Sequence, residues 1–273
     1  MLTLAQYRPV TVEEHAHKRW IPFQSGAVLA QERTVPLVAA EFAAACIHFP
    51  IAWVKNQEQF DPIALLGLDE GQNLFVNHNN QWVVGYVPAH LRAQPFRLLR
   101  ATDGRLTLAV REDTGLVTGN EAANPFFDTE GQLSGELQSV LNMLRRLEEN
   151  RAATQEASLA LADAGVLEAW AVAPVVNGEK RHLGGLFRVS EKALEQVDAA
   201  ALERLRDTGA LAMAYRQQVS QQLIQRLEVE YARRAEARIK RSDHPGDREN
   251  LGFETLGPDT GISFGGLGPR DEP

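Results

Sequence analysis

Trp82, Tyr86, His90, Arg92 and Phe96 stand in one short stretch and bring together aromatic faces, a phenol, an imidazole and a guanidinium. Side chains of these types recognise carboxylates and planar groups, because a guanidinium forks onto an anion and also stacks on rings. Arg92 is placed to clamp an anionic ligand or the chain terminus of a partner, with Tyr86 and Glu41 beside it if the helix expected after Val38 packs on this stretch. The competing reading is architectural: Trp82 and Tyr86 as core, Pro88 and Pro95 as turn geometry, Arg92 bonded to backbone carbonyls.

Bond-making chemistry finds less support. Gly261, Ser263 and Gly265 satisfy the G-x-S-x-G pattern of a nucleophile elbow, but that chemistry needs a strand-to-helix turn and a later histidine. No histidine follows Gly265, and the segment has no strand-and-helix pattern around it. His15 and His17 would share a side only on a strand, and a helix is expected there, so the pair is badly spaced for a metal. The chain contains no H-E-x-x-H, no C-x-x-C and no phosphate-cradling G-x-x-x-x-G-K-[ST] or G-x-G-x-x-G. No metal or cofactor is therefore expected and the sequence names no catalytic residue, while Cys46, on an Ala-rich segment, reads as an inert buried thiol.

The elements that must hold the aromatic and arginine cluster begin with a hairpin. Asn73 to Val76 and Gln81 to Val87 are β-prone runs joined by the turn formers Asn77 to Asn80. Period two puts Trp82, Val84 and Tyr86 on one face; Pro88 then ends the ladder before a short helix. Upstream, Thr11 and Glu14 suggest a capping box. A strand over Val35 to Val38, a helix over Ala39 to Phe49 closed by Pro50, a strand over Ile51 to Lys55 and an apolar run over Phe60 to Leu66 follow. Downstream come strands over Arg97 to Ala101 and Arg105 to Arg111, then a polar loop that Asn124 to Asp128 pins to the body by burying Phe126 and Phe127.

From Ser134 the period changes to 3.6. Leu137, Val140, Leu141, Leu144 and Leu147 form one stripe, with Arg145, Arg146, Glu148 and Glu149 outside it. The helix either runs on or restarts at Thr154, and stops at Gly165. A second hairpin is expected over Trp170 to Val189. Ser190 and Asp198 are N-caps, Gly209 a stop, and Tyr215, Val219, Leu223, Leu227 and Tyr231 imply one long helix to about Arg241. Residues 242–273 are rich in Gly and Pro and read as a flexible tail, with apolar residues from Leu251 to Leu267 spaced like a docking segment.

The 273 residues, 44% hydrophobic, allow a substantial core, and a net charge of −8 gives no electrostatic footprint for nucleic acid. One cysteine excludes an internal disulfide and fits a reducing compartment. The N-terminus shows no signal-peptide pattern, and the apolar window Val35 to Val54 is interrupted by Glu41, His48 and Pro50, so no transmembrane segment is expected and the cytoplasm is the expected location.

The run Trp82 to Phe96, WVVGYVPAHLRAQPF, resembles the Trp-x-x-x-Tyr-Ile-Pro-Ala-x-x-Arg-x-x-Pro-Phe signature of the SapC family, bacterial proteins named after a surface-layer locus. The pieces Val35 to Phe42, Phe49 to Val54 and Leu65 to Val76 are similar to it as well, and His17 matches a histidine near the start of the family pattern. The resemblance implies a binding, assembly or accessory protein linked to surface-layer or outer-membrane uptake systems, with a protein or peptide partner and self-association among the arrangements it allows. It also implies, as an alternative, a peptide or amino-acid modification enzyme, or its obligate subunit, working with a halogenase-like or iron-oxygenase-like protein. The expected fold is α+β: antiparallel hairpin-based sheets packed with two long helices, as a strand-rich half (residues 1–131), a helix-rich half (132–241) and the tail (242–273).

Overall fold

The computed structural model describes residues 7–22, 29–100, 104–173, 175–176, 179–180 and 183–243. Its elements begin with β1 (Tyr7–Pro9), α1 (Val12–His15), β2 (Arg19–Trp20), β3 (Thr34–Pro36), α2 (Phe42–Ala45), β4 (Ile51–Asn56) and β5 (Gln59–Leu65). Next are α3 (Ala89–Arg92), β6 (Phe96–Arg100), β7 (Leu106–Arg111), β8 (Val117–Thr118), β9 (Asn124–Pro125) and α4 (Gly135–Asp163). The chain continues with β10 (Leu167–Ala169), β11 (Val175–Val176), β12 (Glu179–Lys180), β13 (Leu186–Val189), α5 (Glu191–Glu195), α6 (Ala199–Asp207), α7 (Ala210–Gln221) and α8 (Leu223–Asp243). The described residues up to Arg234 form one compact unit, and those from Ala235 on belong to a second. The architecture is the mixed α+β arrangement of antiparallel sheets and helices that the sequence implies.

The central sheet has the order β10-β13-β4-β5-β3, and so takes strands from both sides of Gly131. Its middle strand β4 contributes Ile51, Ala52 and Trp53, all fully buried. A smaller sheet, β1-β7-β6, belongs to a second core. The helix α4 serves both, because at 1.5 Å per residue its 29 residues reach about 43 Å. Leu137, Leu141, Leu144 and Leu147 pack with Phe96, Val110 and Phe126 in the second core. Ala157, Ala160 and Leu161 pack with Phe42, Ile51 and Trp53 in the first. Ser134 caps the helix by accepting the Leu137 N–H, and it runs through Thr154 without a break to the left-handed Gly165.

Within the first core α4 is tied to the central sheet by Trp53, whose indole Nε1 donates to Ser158 Oγ at 3.0 Å. Trp53→Phe removes that donor and leaves space in a filled site, so we expect a loss of about 2 kcal/mol of stability, read from urea unfolding. A variant as stable as wild type would contradict this role.

Three elements differ from expectation. The expected strand Gln81–Val87 does not form: a single bridge, Val76 to Trp82, is all that remains of the hairpin. Side-chain groups have taken the ladder's place. Asn73 Oδ1 accepts the Phe75 N–H, Asn77 Oδ1 accepts those of Asn79 and Gln81, and the Trp82 indole donates back to the Tyr86 carbonyl. The alternation nevertheless survives, with Val83 exposed and Trp82, Val84 and Tyr86 packed on the first core. The expected helix Ala39–Phe49 is a 3-10 turn (Ala39–Glu41) followed by the single turn α2. Finally, the long helix after Gly209 is broken between α7 and α8 at Gln222, and Tyr215 and Val219 are exposed. The buried face of α7 is instead Met213, Ala214, Gln217 and Ser220. The expected turns at Thr102–Asp103 and Asn177–Gly178, the G-x-S-x-G motif and the tail beyond Asp243 lie outside the described residues.

Candidate functional site

An apolar sequence would close the gap between the 3-10 turn, α3 and α4 with more side-chain packing; this one places a carboxylate there. Glu41, only 6% exposed, accepts from three donors and so joins its own turn to the Tyr86–Ala89 stretch. Its Oε1 accepts from the Tyr86 hydroxyl at 2.8 Å and from the Ala89 N–H, at the start of α3, at 2.7 Å. Its Oε2 accepts the Val38 N–H at 3.2 Å. Burial and the neighbouring Glu41 charge hold the Tyr86 phenol well above its ordinary value, so it stays a donor. From the other side, Thr154 of α4 accepts the Ala39 N–H at 2.8 Å. The Tyr86 ring stacks on His48 at 6.3 Å, and Phe49, Phe75 and Trp82 form an aromatic cluster behind it.

Between this frame and α4 lies a cleft of about 500 Å³. Glu41, Ala89 and Arg92 wall one side; Ser139, Asn142, Arg146 and Asn150, spaced three or four apart on one face of α4, wall the other. Val38, Met143 and Leu147 complete the lining. The two guanidinium groups are the chemically informative part. Arg100 and Arg151 are both bonded to Glu148 at 2.8 Å. Arg92 and Arg146, by contrast, are exposed and have no acid partner among the described residues. The one carboxylate that lines the cleft, Glu41, has its oxygens engaged by the frame. The cleft therefore offers positive charge and amide groups over an apolar floor, which suits an anion carried on a partly apolar group.

The seven residues singled out in the sequence separate in space. Glu41, Tyr86 and Arg92 come together, with Trp82 supporting them from behind. Phe96 is core, packed edge-on against Trp20 at 5.0 Å and near Phe126 at 5.7 Å. His17 is exposed beyond the end of α1 and is not among the residues walling the cleft. Its neighbour His15 is fully buried against Phe126, so the two imidazoles do not face one site. Among the described residues no three His, Cys, Asp or Glu side chains gather as a metal centre requires, and no helix is long and apolar enough to cross a membrane. Arg146, Asn142 and Asn150 were not singled out, because beside a strong apolar stripe they read as an ordinary solvated face; their signal is the second, polar stripe next to it.

His90, on α3, is not among the residues walling the cleft, and its Nδ1 is enclosed and unpartnered. Burial, then the charge of Arg97, pushes the imidazole down from 6.5 to about 4. The unfolded chain thus binds a proton near pH 6.5 that the folded chain refuses until about pH 4. Stability attributable to His90 is complete above pH 6.5 and falls as the pH drops through that window, by up to about 3 kcal/mol. Denaturation midpoints at pH 5 and 7.5 should differ less in His90→Gln than in wild type; an identical pH slope in the two would refute this.

A protein-family model described as SapC matches residues 10–227. No curated protein and no solved structure matches the chain.

Proposed function

The chain belongs to the SapC family, and from that premise we propose that it is a non-catalytic binding or accessory protein that holds an anionic group of a protein or peptide partner between Arg92 and Arg146. The observation that carries this reading is the contrast between these two unpaired guanidinium groups on a cleft and Arg100 and Arg151, which share Glu148. The partner belongs to a surface-layer or outer-membrane uptake system, as the family's name suggests, and the protein acts in the cytoplasm, where its one buried thiol, Cys46, stays reduced.

Charge reversal tests the reading. The double variant Arg92→Glu/Arg146→Glu should melt within about 2 °C of wild type, since both side chains are exposed, while its anion binding falls by tenfold or more. The measurement is calorimetric titration with citrate at low salt, alongside quantitative comparison of the proteins that co-purify with each bait. Unchanged anion binding by the variant would remove the cleft from the account. Stoichiometric iron, zinc or flavin in the purified protein would favour a modification enzyme instead.

A further inference from the structure

The hydrogen-bonding groups left over in the cleft are not those an isolated anion needs. Asn142 accepts from Gln138 Nε2 through its Oδ1 at 3.1 Å, which leaves its amide N–H groups unpartnered. Asn150 donates its amide to the Arg146 carbonyl at 2.8 Å, which leaves its Oδ1 unpartnered. The α4 wall therefore presents a donor one turn before Arg146 and an acceptor one turn after it. A sulfate or a fully ionised phosphate ester carries acceptors only and would leave the Asn150 oxygen unmatched. An extended peptide carries both a C=O and an N–H, and its last residue adds a carboxylate and a side chain.

We infer that the occupant of the cleft is the carboxyl terminus of an extended peptide that runs from Arg146 towards Asn150: the terminal carboxylate between Arg92 and Arg146 with Asn142 donating to it, a backbone N–H of the preceding residue accepted by Asn150, and the last side chain on Met143 and Leu147. The inference rests on the anion-binding reading of the same cleft and adds to it the class of partner. The geometry of the wall supports it, because residues 142, 146 and 150 rise along one face at about 6 Å per step, comparable to two residues of extended chain at 3.3 Å each. An amide cap on the peptide removes the charge and one acceptor oxygen while leaving the rest of the chain intact, which makes it the discriminating change.

The full chain is titrated by fluorescence polarisation with a labelled pool of random-sequence hexapeptides bearing free carboxyl ends, and with the same pool amidated. The free-acid pool should bind at least tenfold more tightly, and Arg146→Ala should reduce it to the level of the amidated pool. Asn150→Ala should weaken the acid pool several-fold, keep the wild-type melting temperature and leave competition by inorganic phosphate unchanged. Equal binding of the two pools, or an Asn150→Ala variant that binds the acid pool as wild type does, overturns the inference. If phosphate or citrate binds at the two arginines and neither pool binds at millimolar concentration, the peptide terminus is refuted and the anion-binding reading stands; if no anion binds there, both fall.

Discussion

Replacing Glu41 with alanine lowers the melting temperature by about 10 °C, the largest expected effect of any single change at the cleft. The substitution removes the acceptor of three donors, two of them buried: the N–H groups of Ala89 and Val38, and the half-buried Tyr86 hydroxyl. A buried donor left unpaired costs about 1–3 kcal/mol, so the sum is about 3–5 kcal/mol after local relaxation. In a unit of this size each kcal/mol moves the transition by about 2–4 °C. Tyr86→Phe tests the same node from the other end and should cost only about 1–2 kcal/mol, because it leaves Glu41 two backbone donors. In a double-mutant cycle the two changes should cost clearly less than their sum, since Tyr86→Phe has no partner left to lose once Glu41 is gone. Strict additivity would show that the hydroxyl and the carboxylate do not act together.

The second large effect lies under α7. Gln217 is fully buried and bridges two strands of the central sheet: its Oε1 accepts the Val189 N–H at 3.1 Å, and its Nε2 donates to the Ile51 carbonyl at 3.1 Å. Ser220 completes the arrangement by accepting the Ile51 N–H at 3.0 Å. These bonds satisfy backbone groups of β4 and β13 where their ladder ends, since the pairing of the two strands stops at Trp53 and Phe187. Gln217→Leu keeps the volume and adds apolar surface, yet it should destabilise the fold by about 2–4 kcal/mol, because it leaves a buried N–H and a buried C=O without partners. The measurement is the guanidinium midpoint. A leucine variant as stable as wild type would mean that apolar packing, and not these bonds, seats α7.

Glu41 and Gln217 also mark the limit of what the chain discloses before it is folded. The two ends of α4 were legible, because Leu137, Leu141, Leu144 and Leu147 repeat at the helical period and Ser134 stands at the cap, but its continuity through Thr154 was not. β4, β6 and β7 were legible as β-prone runs, whereas Phe60 to Leu66, most of β5, read only as an apolar run. The missing hairpin and the misread face of α7 share one origin, polar side chains that bond to backbone. Asn73 and Asn77 take the donors that a hairpin ladder would have used. Gln217 and Ser220 carry the buried face of α7, so the apolar period of Tyr215 and Val219 pointed to the exposed side. At the cleft, the nearness of Glu41, Tyr86 and Arg92 was foreseeable from the notion that one segment packs on another. Arg146 was not, because a guanidinium beside an apolar stripe looks the same whether it faces solvent or a cleft.

The central claim is that Arg92 and Arg146 act together on one anion. The most direct measurement follows the Nε–H resonances of the arginines by NMR while citrate is added at constant ionic strength. The Arg92 and Arg146 signals should move together and saturate at a single dissociation constant, while those of Arg100 and Arg151, already held by Glu148, stay in place. Shifts that spread over the exposed arginines without saturating, or that move Arg92 and Arg146 independently, would contradict the account.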